Sequence, residues 1–160
     1  MSIQRKHKVN ATELAQVLLN DFVNNTTLDA KPNLTMEADK ESYYRAKSRI
    51  YRVALVLIAL ISEEQQDPQF SKVKESLEVL VFPEAQEEGI LFLEEIKSAM
   101  RHLSELLFPA EQPREMSWAL NWLHGIDIEE TNPVTLSLFA MRWMDSYVMI
   151  KETLGEFNLT

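Results

Sequence analysis

Apolar residues recur along this chain at spacings of three and four, a pattern that predicts α-helix over most of its length. In the first such segment Leu14, Leu18 and Phe22 share one face, with Val17 beside them. Asn10 precedes it and Glu13 follows three residues on, the spacing of an N-terminal cap. A helix is predicted over about 11–24. The stretch 25–39 then turns polar, rich in Asn and Thr and containing Pro32. It reads as the longest loop, and loops of this length are commonly functional or mobile.

The second helix is predicted over about 40–64, where Tyr43, Ala46, Ile50, Ala54, Leu57 and Ile61 mark one continuous face. Its two halves differ. Arg45, Arg49 and Arg52 occupy a charged face in the first half, and Val56 and Leu60 continue that face in the second. Residues 53–61 are apolar all round, which predicts a segment enclosed by other helices. A bilayer span takes about 20 such residues, so this run belongs to a core.

Asp67-Pro68 has the cap-plus-proline form of a third helix, with Phe70, Val73, Leu77 and Leu80 expected inward. Pro83 ends that helix or starts a fourth, over about 84–108, whose first turn is acidic as the helix dipole prefers. Its expected core stripe is Leu93, Ile96, Met100, Leu103 and Leu107. Pro109 and Pro113 bracket a short connection to a fifth helix over about 114–124, carrying Met116, Leu120 and Leu123. Gly125 is its expected stop. Asn132-Pro133 repeats the helix-start signal, and a sixth helix runs to about Leu154 with a stripe of Leu136, Phe139, Trp143, Tyr147, Ile150 and Leu154.

Strand signals are weak by comparison. No two-residue alternation is sustained, no Asn-Gly or Asp-Gly turn occurs, and Gly89, Gly125 and Gly155 fall near predicted helix ends. The expected fold class is therefore all-α: a single-domain helical bundle of about five to six helices around a central helix at about 40–64. It covers residues 1–160, with 1–9 expected to be flexible.

Composition narrows the function classes. The 160 residues, 46% of them hydrophobic, suffice for one core without covalent staples. The absence of cysteine excludes disulfides, thiolate zinc sites and cysteine nucleophiles. Residues 1–10 carry charge but no apolar signal core, and the expected location is the cytoplasm. The N-x-S/T triplets at Asn10, Asn24, Asn25, Asn33 and Asn158 then read as capping and loop chemistry rather than glycan sites. A net charge of −9 disfavours nucleic acid and anionic membrane, and it permits a basic protein partner.

Catalytic signatures are missing. Residues Gln4, Ala99 and Asn121 stand three before His7, His102 and His124, so no Glu-x-x-His pair of a di-iron bundle exists. Glu75 with Glu78, and Glu84 with Glu87, have E-x-x-E spacing. The E-x-x-D pair that all-α pyrophosphohydrolases add on a later helix has no counterpart after them, and a solvated face explains the four carboxylates. No G-x-S-x-G elbow and no glycine-rich phosphate loop is present. His102 is expected at an exposed edge of the fourth helix, and His124 in the last turn of the fifth. No cofactor is expected, and the balance is against an enzyme.

Two constellations remain. Residues 43–52 gather Arg45, Lys47, Arg49 and Arg52 with Tyr43, Tyr44 and Tyr51. Internal pairing with acidic side chains accounts for them; the sharper alternative is a ligand-binding face of Tyr44, Arg45, Arg49 and Arg52 for a small anion. The second is the aromatic and methionine cluster of the last two helices. Trp118 and Trp122 belong to an ordinary core, whereas Met141, Met144 and Val148 lie off the main stripe of the sixth helix and suit an interface. The expected function is a non-enzymatic interaction protein (an adaptor, a regulator or an acidic neutralising partner of a basic protein), with a protein partner or a homodimer. A bundle binding a small anionic ligand is the alternative, and a metal-dependent hydrolase the second alternative.

Overall fold

Every residue from 51 to 60 is buried, so the middle of the longest helix lies at the centre of the bundle. The computed structural model describes residues 7–25, 38–82, 86–110 and 115–160. In chain order the elements are β1 (His7–Val9), α1 (Ala11–Leu18, running into a π-helical turn at Leu19–Val23), α2 (Ala38–Glu64), α3 (Phe70–Val81), α4 (Gln86–Leu107), α5 (Glu115–His124), α6 (Pro133–Gly155) and β2 (Phe157–Leu159). The fold is an all-α helical bundle with one very small sheet. Helix α2 is the spine: α3, α4, α6 and the π-helical turn all pack on it, while α1 rests on α3 and α5 on α6.

The helix starts follow local chemistry. Glu13 N donates to Asn10 Oδ1 at 2.8 Å, and the Asn10 amide donates in turn to the Glu13 carboxylate. Asn132 Oδ1 accepts from Val134 N at 3.0 Å with Pro133 in the first helical position, where its missing N–H costs nothing. Asp67 Oδ1 accepts from Gln69 N, and a turn at 68–69 leads into α3. The polar stretch 26–37, Pro83 and Pro113 lie outside the described residues.

Several inward faces differ from the pattern-based expectation. In α3, Val81 is buried and Leu80 is 42% exposed; both suit the spacing from Leu77, and α3 packs on α1 and α2 with Val81 inward. In α4 Leu93 is exposed, while Ile96, Ala99, Leu103 and Leu106 are buried. In α5 Met116 and Leu120 face outward and Trp118, Ala119, Trp122 and Leu123 inward. Burying two indoles removes more apolar area from water than burying one Met and one Leu, and that decides the rotation of the helix.

Residues 7–9, expected to be flexible, instead form β1, paired in parallel with β2 so that His7 faces Phe157 and Val9 faces Leu159. Thr160 N extends the ladder to Val9 O at 3.0 Å. Three-residue strands are too short to display a period, and a parallel pair from opposite ends of the chain needs no tight turn. Among the described residues, no helix is long and apolar enough to cross a membrane.

Candidate functional site: the groove between α2, α4 and the end of α5

The cations of α2 are consumed largely by backbone. Lys47 Nζ donates to Trp122 O at 2.6 Å, Arg52 Nε to Val23 O at 2.8 Å, and Lys40 Nζ to Asp127 O at 2.7 Å. Trp122 lies in the last turn of α5 and Val23 ends the π-helical turn, so both lysine and arginine meet the negative end of a helix, where cations are favoured. Backbone carbonyl oxygen thus takes part in compensating the positive charge clustered on α2. Arg45 instead pairs with Glu41 at 3.0 Å on an exposed face, a geometry that contributes little.

The end of α5 shows the consequence. Asn121 O accepts from Gly125 N, Leu123 O from Ile126 N and Ile128 N, and His124 O from Asp127 N, while Asp127 takes a left-handed conformation at φ 58°. Trp122 O lies among them and receives the lysine. All four last carbonyls are satisfied.

Tyr44, Arg45, Arg49 and Arg52 do not form one surface. Tyr44 is fully buried, edge-on to Trp122 and Phe139; Arg52 is buried; Arg49 is half-buried; Arg45 is exposed. The α2 residues that line the groove beside α4 are instead Tyr43, Ala46, Lys47, Ile50 and the buried Tyr51. They meet Glu95, Ser98, Ala99, His102 and Glu105 of α4 and the segment Asn121, Gly125 and Ile126, enclosing an open groove of about 800 Å³.

Three titratable side chains define that groove. Tyr51 Oη and His102 Nδ1 are hydrogen-bonded at 2.7 Å. His102, expected at an exposed edge, is half-buried and stacks on Trp118 at 4.5 Å between centroids; Trp118 Nε1 donates to the His102 carbonyl at 2.6 Å. An imidazole that lies flat on an indole is held by the stack and the hydrogen bond, which overrides the solvent preference of its position on the helix. Lys47 Nζ stands 4.6 Å from the Trp122 ring centroid and 5.8 Å from that of Tyr51, within cation–π range.

Burial shifts all three groups toward their neutral forms. The Lys47 ammonium is pulled down to about 8. The His102 imidazole is lowered to about 4, first by burial and then by the Lys47 charge. The Tyr51 phenol is raised above its ordinary value by burial and by Glu105. At neutral pH the groove therefore holds a neutral tyrosine–histidine pair beside a lysine that is readily deprotonated.

The remaining candidates lie elsewhere. His124 is exposed, as is Glu75, and Glu78 is half-buried on α3; the side chains of Glu84 and Glu87 lie outside the described residues. Among the described residues no three acidic or histidine side chains converge as a metal site. Met141 and Val148 are exposed on α6, whereas Met144 packs against the core. Lys47 and Tyr51 belong to the basic and aromatic stretch 43–52 but not to the face expected to bind; helix packing alone brings them to His102 and Trp122. No family model, curated protein or solved structure matches this chain.

Proposed function

We propose that this chain is a non-enzymatic binding protein whose groove between α2, α4 and the end of α5 takes a small planar ligand with one acceptor or anionic end. The observation that carries the proposal is the position of Lys47, a cationic donor at the groove wall with Tyr43, Ile50 and Tyr51 lining the groove beside it. The groove's volume of about 800 Å³ lies within the roughly 300–1,000 Å³ of ligand pockets. An aromatic ligand gains contact with the Tyr51 side of the groove while its acceptor points to the ammonium.

The test is a thermal-shift and NMR titration with aromatic carboxylates, nucleotides and phosphate esters. An aromatic carboxylate is expected to raise the melting temperature of the native protein and of Arg45→Ala, and to lose that effect in Lys47→Met. Unchanged melting and unchanged spectra across the whole panel would remove the proposal.

A second reading, self-association, is favoured by a different observation. Val134, Leu138, Met141 and Val148 lie on one outward face of α6 and are all exposed, a stripe at helical spacing that a second copy of the chain would cover.

A further inference from the structure

We propose that a second copy of this chain covers the outward face of α6 in antiparallel orientation, with Arg142 of each copy set against Asp145 of the other. The proposal rests on the self-association reading, and it fixes the geometry of that contact.

The face is apolar toward its edges and charged at its middle. Leu138, Met141, Val148 and Met149 are all exposed. At about 3.6 residues per turn they fall, together with Arg142 and Asp145, within roughly a third of the helix circumference. Arg142 and Asp145 are exposed as well. Although they stand one turn apart, neither forms a salt bridge among the described residues. A wholly apolar partner would strip both charges of water and return nothing to them, which is costly. Whatever covers this face has to present an anion to Arg142 and a cation to Asp145.

The same face on a second copy meets that requirement in one arrangement. In a two-fold contact, a residue that touches another on the copy is touched in return by its own counterpart. With the helices antiparallel and the axis level with the peptide between Trp143 and Met144, Arg142 stands at the height of Asp145 of the second copy. Symmetry then supplies the reverse pair. The register carries the apolar residues with it. Leu138 and Met149 lie equally far from that axis on its two sides, so each is level with the other on the opposing copy. Met141 falls beside Val148 of the second copy along the other edge. Glu152, nearer the helix end, falls at the rim, where a charge stays in water. A parallel contact would instead bring Asp145 level with Asp145 and Arg142 with Arg142. An antiparallel contact centred on Asp145 would again oppose the two carboxylates. Like charges brought together at an interface are costly, so the charges set orientation and register while the apolar residues supply the attraction.

Charge reversal in the full chain tests the arrangement. Light scattering behind size-exclusion chromatography should return twice the single-chain mass for the native protein. Arg142→Asp leaves only carboxylates at the middle of the face, and Asp145→Arg leaves only guanidinium groups. Each variant alone should therefore self-associate about tenfold more weakly or worse. Both positions are exposed, and circular dichroism should be unchanged. An equimolar mixture of the two variants should recover the doubled mass, because each supplies the charges the other lacks. The chain carrying both substitutions should recover it as well. A native dimer that survives either reversal, or a mixture that stays monomeric, overturns the antiparallel contact. If Met141→Glu with Val148→Glu still breaks that dimer, self-association through α6 stands and only this geometry is refuted. A native protein that is monomeric at high concentration refutes both.

Discussion

Lys47 Nζ lies 2.6 Å from the Trp122 carbonyl oxygen and 4.6 Å from the centroid of the same residue's indole. One residue of α5 thus provides both its hydrogen-bond acceptor and its aromatic face. Gly125 completes the arrangement, since a Cβ at that position would approach Nζ to 2.6 Å. Its φ is not in the left-handed region, so Gly→Ala should carry the usual gain of about 0.4–1 kcal/mol from a stiffer unfolded chain. Displacing the ammonium leaves the Trp122 carbonyl without its donor, which costs about 1–3 kcal/mol. Gly125→Ala is therefore expected to be net destabilising in urea unfolding, and a net gain would show that the lysine contact is dispensable.

The same lysine predicts an alkaline signature. Burial holds its folded pKa at about 8, below the ordinary lysine value of 10.5. Between those two values the unfolded chain holds a proton that the folded chain has released, so stability rises with pH. Tyr51 acts in the opposite direction, but only above the ordinary tyrosine value near 10. From pH 8 to 10 the stability of the native protein should therefore rise relative to Lys47→Met, measured by urea midpoints at each pH. Parallel curves for the two proteins would mean that Lys47 titrates normally.

His102 predicts an acid signature of its own. Its folded pKa of about 4 lies below the ordinary 6.5, so on acidification the unfolded state takes up the proton first. The stability associated with the neutral imidazole is fully present above 6.5 and is lost as pH falls toward 4. His102→Gln, which cannot titrate, should lack this slope. The comparison is the difference in thermal midpoint between the two proteins from pH 7.5 to 4, and a constant difference would contradict the burial of the ring.

Elements with a long apolar period were legible in the sequence, and features made by tertiary contact were not. Asn10 with Glu13 and Asn132 with Pro133 marked helix starts that the structure reproduces, because capping is a local event. Residues 53–61 announced a surrounded helix because no polar face interrupts them. Rotation about the helix axis is less secure: Leu80 and Leu93, expected inward, are exposed, as are Met116 and Leu120 of α5, since neighbours one position apart on a helix can each satisfy the spacing. The basic half of α2 illustrates the deeper limit. Its charges are visible, but Lys47, Arg52 and Lys40 donate to the Trp122, Val23 and Asp127 carbonyls, and backbone oxygen carries no mark in the sequence. His102 stacks on Trp118 for a similar reason, the two lying 16 positions apart along the chain with no periodic relation to connect them.

The outward face of α6 gives the last prediction. Val134, Leu138, Met141 and Val148 are 65%, 43%, 45% and 52% exposed, and their spacings of four, three and seven keep them on one stripe. Met144 sits off that stripe and packs against the core. If a second copy covers the stripe, light scattering behind size-exclusion chromatography should return twice the single-chain mass. Met141→Glu combined with Val148→Glu should then give a monomer with a nearly unchanged thermal midpoint, since surface substitutions away from packed features cost about 0.5 kcal/mol or less. Met144→Glu should behave differently, losing about 1–3 kcal/mol by placing a carboxylate against apolar packing. A native protein that stays monomeric at high concentration would rule out self-association through α6, and it would leave the ligand groove, which lies on α2 and α4, unaffected.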